Sequence, residues 1–309
     1  MRTKVVVLGG SGMLGSMVAD LLARDEELEV AATARDADAA GRMAEWIPTV
    51  RWEVFDARGV DVGPLLADHG WVVNAIGIIK PFIHDDDPAE VERAVEVNAL
   101  FPHLLARRAA ETGARVLQIA TDCVFSGAKG EYVEGDPHDA LDVYGKTKSL
   151  GEVPAPHVHH LRCSIVGPEA GGRRSLLEWF RGQPHGAELR GYRNHRWNGV
   201  TTLQFARICH GVVTRGSEPP RVQHVVPAAS VTKLDLLELF AQAYDRSDVT
   251  IAPADAPIVV DRTLATSNGD ANRALWAAAG YAEPPSVAEM LDELAAFEYR
   301  GAPLASSPS

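Results

Sequence analysis

The sequence predicts an α/β protein, a Rossmann-type doubly wound parallel sheet with a smaller C-terminal α/β cap. Three observations carry that expectation. Short β-branched apolar runs alternate with stretches of helical periodicity through the first half of the chain. A cluster of glycines follows the first apolar run and opens the first helical stretch. The chain has 309 residues, 46% hydrophobic and 23% charged, an ordinary globular composition with length for a large core and a second small unit.

Residues 5–8 read as a buried strand and residues 13–24 as a helix. Strands follow at 28–33, 51–55 and 71–76, then a long helix at 88–112 and a strand at 115–120. Strands separated by helices imply right-handed crossovers and a parallel sheet, and continuously apolar strands fit a sheet buried on both faces. Beyond about residue 167 the pattern loosens, with Pro, Gly, Arg and His punctuating the chain to about residue 197. A helix at 203–213 and a strand at 221–226 are expected to return to the main sheet. Helices near 234–244, 271–279 and 287–297 read as a small cap. The expected division is therefore residues 1–167 with about 200–227 as the dinucleotide-binding domain. About 168–199 with 228–300 would form the cap, and 301–309, rich in Ser, Pro and Ala, a flexible tail.

The formal charge of −12 argues against a general nucleic-acid binder, though a local Arg cluster can still hold an anionic small ligand. Cys123, Cys163 and Cys209 show no CxxC spacing, so no disulfide framework is expected and a reducing cytoplasm fits best. No apolar run is long enough to span a bilayer, and the first is too short for a signal-peptide core. Neither nucleic acid nor membrane is an expected partner; a homodimer is compatible with the sequence, which does not set the oligomeric state.

Gly9, Gly12 and Gly15 give GxxGxxG. A pyrophosphate needs a backbone it can approach closely and a helix N-terminus with free N–H groups. The turn formed by Gly9, Ser11, Gly12, Met13 and Leu14 is the candidate contact, and Gly15 would let the helix pack closely on the sheet. The plainer alternative is a glycine-rich turn with no ligand. At the end of the second strand, where an acid would accept from a ribose 2′-OH, the chain reads Ala34-Arg35-Asp36. A guanidinium suits a 2′-phosphate, so NADP(H) is preferred over NAD(H), with Asp36 as the NAD-binding alternative. Asp56, followed by Ala57 after the third strand, is placed to bond an adenine amine or to cap a turn. Ala75, Ile76 and Gly77 end the fourth strand, and small residues there let a cofactor lie against the backbone.

Tyr144 and Lys148 form YxxxK. Positions i and i+4 share one helix face, so phenol and ammonium point into one cleft. A free tyrosine, with pKa about 10, is a poor acid or base at neutral pH, and a nearby cation is expected to lower that value. Lys148 can also hold the nicotinamide ribose, while Tyr144 protonates a carbonyl oxygen as hydride arrives at carbon. Thr121, ending a central strand, would orient that carbonyl. Asn98, inside an otherwise apolar helix, is expected to bond backbone at the fourth strand. His157, His159 and His160 lack the carboxylate or Cys spacing that completes a metal site, so no metal is expected. Asp85, Asp86 and Asp87 read as a solvated loop leading into a helix N-terminus.

Taken together, the glycine turn, Asn74 to Gly77, the TDxVFxG block at 121–127, the YGKTKxxGE block at 144–152 and the LRCSIVG block at 161–167 resemble the extended short-chain dehydrogenase/reductase superfamily. Within it, the chain is most similar to the dTDP-4-dehydrorhamnose reductases and related nucleotide-sugar reductases. The resemblance implies Thr121, Tyr144 and Lys148 as the catalytic trio, and NADPH or NADH reducing a 4-keto group on a nucleotide-linked 6-deoxyhexose. Nucleotide-sugar dehydratases of the superfamily carry Glu where this chain has Cys123, so plain reduction is preferred over loss of water.

The C-terminal half resembles the family less. Asn198-Gly199-Val200-Thr201-Thr202 stands where the reductases carry a Gln-x-Gly-x-Pro-Thr-like stretch. Arg196 and Trp197, with Arg173, Arg174 and Trp179, suit a diphosphate and a ring, and equally an ordinary solvated loop with Trp197 covering the core. With Lys80, Cys123 and Val124, they complete the candidate substrate contacts. Two other readings stay open: an epimerase or another carbonyl reductase on the same scaffold, and a non-catalytic regulatory subunit with a reductase fold.

Overall fold

The structure, a computed structural model, describes residues 2–170 and 174–301. Thr3–Leu8 (β1) leads through the glycine turn into Met13–Leu22 (α1), followed by Leu28–Ala34 (β2), Ala37–Trp46 (α2) and Arg51–Val54 (β3). Gly63–Leu66 (α3) precedes Trp71–Asn74 (β4). The long helix predicted over 88–112 is Pro88–Ala94 (α4) and Phe101–Thr112 (α5), joined by a wide π turn, Val95–Leu100. Then come Arg115–Thr121 (β5), Val143–Leu150 (α6) and Val158–Cys163 (β6).

The later elements are Ile165–Val166 (β7), Leu176–Arg181 (α7), Glu188–Tyr192 (β8), Arg196–Trp197 (β9), Val200–Thr201 (β10), Thr202–Arg215 (α8) and Val222–His224 (β11). Val231–Thr232 (β12), Lys233–Ala243 (α9), Thr250–Ala254 (β13), Gly269–Ala278 (α10) and Val287–Ala296 (α11) complete the described chain. Among the described residues no helix is long and apolar enough to cross a membrane.

Seven parallel strands form the main sheet in the order β11-β6-β5-β4-β1-β2-β3. The two-residue period of β1 sends Val5 and Val7 into one layer, with Met17, Val18 and Leu22 of α1 and Leu203 and Phe205 of α8. Val6 and Leu8 enter the opposite layer, with Leu66, Phe101 and Leu105. Burial on both faces explains the unbroken apolar run. The strand order reverses between β1 and β4, which opens a crevice at their C-terminal ends. The strand expected at 221–226 does return to the sheet, as its edge. Three two-stranded ladders, β8 with β13, β9 with β12 and β7 with β10, lie outside it. Neither β8 nor β13 was foreseen: β13 carries Pro253, and β8 carries Gly191, where a Cβ would press on Leu234.

The π turn has a local cause. Asn98 accepts from the Ile78 N–H (2.8 Å) and donates to the Ile78 carbonyl (2.9 Å), just beyond β4. It thereby mimics a strand partner and fixes the segment that carries Gly77. The three histidines before and within β6 are spent on main-chain carbonyls: His157 on Ala106, His159 on Pro219 and His160 on Val153.

Arg162 of β6 is buried, 2% exposed. Its guanidinium meets Glu152 through two bonds (2.9 and 2.6 Å), His224 Nε2 (2.7 Å) and His138 Nε2 (2.8 Å). A guanidinium has no acceptor, so both imidazoles must present a bare Nε2. The Nδ1 of His138 faces Ser149 Oγ (2.6 Å) and the Nδ1 of His224 faces the Ala265 carbonyl (2.7 Å). Burial pushes both rings below the ordinary histidine range, and the Arg162 charge pushes further the same way. Burial also lowers His69, His159 and His160.

A ring lowered in the folded state binds its proton first in the unfolded chain. Stability is therefore full above the ordinary pKa of about 6.5 and drains away as pH falls below it. The urea midpoint is expected to be lower at pH 5.5 than at pH 7.5; equal midpoints would show that these rings titrate normally.

Candidate active site

The glycine turn is shaped for close approach. Gly9 sits at φ +79°, where a Cβ would come within 3.0 Å of Ile76. A Cβ on Gly15 would run into the Gly9 carbonyl oxygen. The Gly9 N–H is held by Thr33 Oγ1 (3.0 Å), which ties the turn to the end of β2. Helix α1 starts at Gly12 with no side-chain cap, so its first N–H groups stay available to an anion. Helices α2, α4 and α6, by contrast, are capped by Asp36, Asp87 and Asp142.

Two adjoining cavities, of about 430 and 930 Å³, meet at this turn. The smaller gathers Gly9, Ser11, Gly12, Arg35, Asp56, Ala57, Ala75, Ile76 and Gly77. The larger shares Ser11, Gly12, Arg35 and Ala75 to Gly77 and adds Met13, Leu14, Thr121, Cys123, Tyr144 and Lys148. Every predicted cofactor contact therefore lies on one continuous cleft, and so does the predicted catalytic trio.

At the adenosine end, Asp56 is taken by Arg58, side chain to side chain (3.1 Å) and through the Arg58 N–H (2.9 Å). That bond to Arg58 holds its carboxyl below the usual range, with Arg35 contributing. Asp36 accepts from Ala39 N (2.8 Å) as the cap of α2. Arg42, Arg58 and Arg93 also line this cavity and were missed.

At the catalytic end Tyr144 and Lys148 are half-buried in the cleft wall. Helix α6 begins at Asp142, whose carboxylate accepts from Gly145 N (2.7 Å), a cap worth about 1 kcal/mol. A Cβ on Gly145 would run into the Cys123 carbonyl, so the helix lies against the end of β5. Lys148 donates to the Ile119 carbonyl (3.2 Å), and burial lowers its pKa to about 8. Burial pushes the Tyr144 phenol well above its ordinary value; the nearby Thr121 hydroxyl opposes this only in part. The expectation that a cation would lower the tyrosine is thus reversed here: desolvation is the largest influence and moves it upward. At neutral pH Tyr144 holds its proton and is set to donate it. Burial likewise raises the Asp122 carboxyl, and pushes Cys123 up to about 12.

Several predicted substrate residues lie elsewhere. Lys80 is exposed and paired with Asp142 (2.7 Å). Val124 is buried beside Phe125, Tyr132 and Leu264. Trp179 is on the surface of α7, 41% exposed, and Arg196 binds Ser230 Oγ. None of these four lines the cleft, because each turns toward its own element's surface or core. Trp197 is buried behind the cleft wall, donating to Ser164 Oγ (2.8 Å), and Ser164 itself lines the cleft. Arg173 lies outside the described residues. Of the other candidates, Cys123 and Arg174 do line the cleft, joined by Ser164, Glu169 and Phe82, with the Arg174 guanidinium over the Phe82 ring at 4.2 Å.

The chain is 31% identical over 157 residues to a dTDP-4-dehydrorhamnose reductase of Mycobacterium tuberculosis (strain ATCC 25618 / H37Rv), across 48% of this chain and 44% of that protein. The alignments span less than half the length of the curated relatives first matched. Among solved structures, a dTDP-4-dehydrorhamnose reductase from Bacillus anthracis in complex with NADP superposes with a TM-score of 0.68 at 15% identity, covering 95% of this chain and 99% of that one. A UDP-glucuronic acid 4-epimerase from Bacillus cereus in complex with UDP-glucuronic acid and NAD gives 0.71 at 16% identity, covering 95% and 98%. At such identities the likeness speaks for the fold. The model of the RmlD substrate binding domain matches residues 3–172, from β1 through the glycine turn, the YxxxK helix and β6. That is more than half of the chain, which belongs to this family.

Proposed function

We propose that the protein is an NAD(P)H-dependent reductase of a nucleotide-activated keto sugar, taking NADP(H) in preference to NAD(H). The observation that carries this reading is the single cleft joining the uncapped glycine turn to Tyr144, Lys148 and Thr121. The residues present fit a dinucleotide: a turn that a Cβ would fill, free N–H groups at α1, and Arg35, Arg42 and Arg58 around the adenosine end. Three guanidinium groups favour a 2′-phosphate over a bare ribose. The dTDP-4-dehydrorhamnose reductase name of the mycobacterial relative and the NADP in the B. anthracis reductase support the same choice.

When bound, the nicotinamide would supply the hydride. Lys148 would hold the ribose hydroxyls, Thr121 would orient the substrate carbonyl, and Tyr144 would give its proton to the carbonyl oxygen. Cys123, protonated over the neutral range, is no base, which favours plain reduction over dehydration. The C-terminal elements around α9 would close over the nucleotide diphosphate. The three free cysteines suit a reducing cytoplasm.

Tyr144→Phe is expected to keep NADPH binding and to lower kcat by roughly 10²–10⁴; parental turnover in that variant would refute the proton-donor role. Calorimetric titration should show NADPH bound more tightly than NADH, with the difference lost in Arg35→Ala. Lys148 loses its ammonium charge as pH rises through about 8 in the free protein. The kcat/KM for NADPH should therefore decline above that pH, and a profile flat to pH 9 would count against a charged Lys148.

A further inference from the structure

The residues that line both cavities mark the neck between them. They include Ser11 and Gly12 of the glycine turn and three arginines, Arg35, Arg58 and Arg93. From this neck the smaller cavity leads to Arg42 and Asp56, and the larger leads to Tyr144 and Lys148. A dinucleotide laid along the cleft would put its adenosine half in the first and its nicotinamide half in the second. Its pyrophosphate joins the two halves and would pass through the neck, where the uncapped start of α1 offers its N–H groups.

The three arginines are not equivalent. Arg58 is spent on Asp56, side chain to side chain at 3.1 Å. Arg35 follows β2, where a 2′-phosphate would lie. Arg93 belongs to α4, which follows β4, and β2 and β4 flank β1 on opposite sides. It therefore reaches the neck from the side opposite Arg35. Its helix is fastened at both ends. Asp87 caps the start (2.9 and 3.2 Å), and the end runs into the π turn that Asn98 ties to Ile78, itself a residue of the neck. Among the described residues, the one carboxylate within 4.0 Å of the Arg93 guanidinium is Glu90, at 3.7 Å, too far for a hydrogen bond. Glu90 already accepts from the His84 N–H (2.8 Å) and faces His84 Nδ1 (2.7 Å). A guanidinium carries five donors in a fixed fork that suits phosphate oxygens. Arg93 brings such a fork to the neck with its side chain 40% exposed and loosely paired.

We propose that Arg93 is a cofactor-binding residue that holds the dinucleotide pyrophosphate jointly with the N–H groups of the glycine turn. This rests on the dinucleotide reading above and adds a side-chain clamp to a site otherwise made of backbone.

The test is calorimetric titration of the parent, Arg93→Met and Arg93→Lys with NADPH, NADH and dTDP. Arg93→Met should weaken NADPH and NADH by the same factor, roughly tenfold, and leave dTDP unchanged. Arg93→Lys, which keeps the charge without the fork, should recover part of the loss. Loss confined to NADPH would move the guanidinium to the 2′-phosphate, and loss of dTDP with cofactor binding retained would move it to the diphosphate of the substrate; either result overturns the proposal. So would Arg93→Met binding both cofactors as tightly as the parent. Loss of all three ligands in both variants would mark a role in folding and overturn it as well. A parent that binds neither NADPH nor NADH would overturn the dinucleotide reading itself, and this one with it.

Discussion

Arg162 carries a full charge inside a seven-stranded sheet, and the segments around it are arranged to tolerate that charge. Glu152 neutralises it from just beyond the C-terminal end of α6. His138 comes from the loop before that helix, and His224 from the edge strand β11. Each partner is itself fixed by a second bond or a backbone constraint. Removing any one would leave a buried charge or an unpaired donor, which is far dearer than the pair is stabilising. The consequence for chemistry is positional. Helix α6 is capped by Asp142 at one end and followed by the anchored Glu152 at the other, so the face bearing Tyr144 and Lys148 cannot rotate away from β5.

Partial burial then sets the direction of the pKa shifts. Tyr144 and Lys148 share one helix face, yet burial moves their pKa values in opposite directions, the phenol upward and the ammonium downward. Both movements come from the same cause, the cost of charge away from water. The tyrosine is thereby kept as an acid. The lysine, bonded to the Ile119 carbonyl, is kept close to the point where a neighbouring anion or hydroxyl decides its charge.

The sheet and the cleft were largely legible because local rules and tertiary demands agree there. A four-residue apolar run buried on both faces, glycines that would collide with the backbone if substituted, and an i, i+4 pair each have one physical solution. The GE and LR pairs within the longer blocks were visible only as a resemblance; in the structure they are the Glu152–Arg162 ion pair. The cap was not legible. Its ladders are two to five residues long, too short for periodicity to register, and aromatic–cation clusters such as Arg196 with Trp197 look alike whether they meet a ligand or a neighbouring loop. The phenol shift was misjudged for a related reason: spacing reveals which charges are near, but not how much water is left.

The wiring of the Arg162 site also dictates an order of assembly. β6 stays a sheet edge until Val222–His224 pairs with it, and the guanidinium lacks one partner until His224 arrives on that same strand. Helix α1 is covered by α8, and its Asp20 and Ser16 are reached by Arg300 and Tyr299, near the end of the described chain. During vectorial synthesis the chain through β6 therefore emerges with an unpaired strand edge, a cation short of one partner and a bare helix face. Such a nascent chain is compact but open to edge-to-edge association. The glycine turn and YxxxK helix lie entirely in that segment, so the protein holds its chemical residues early and the scaffold that makes them usable only late.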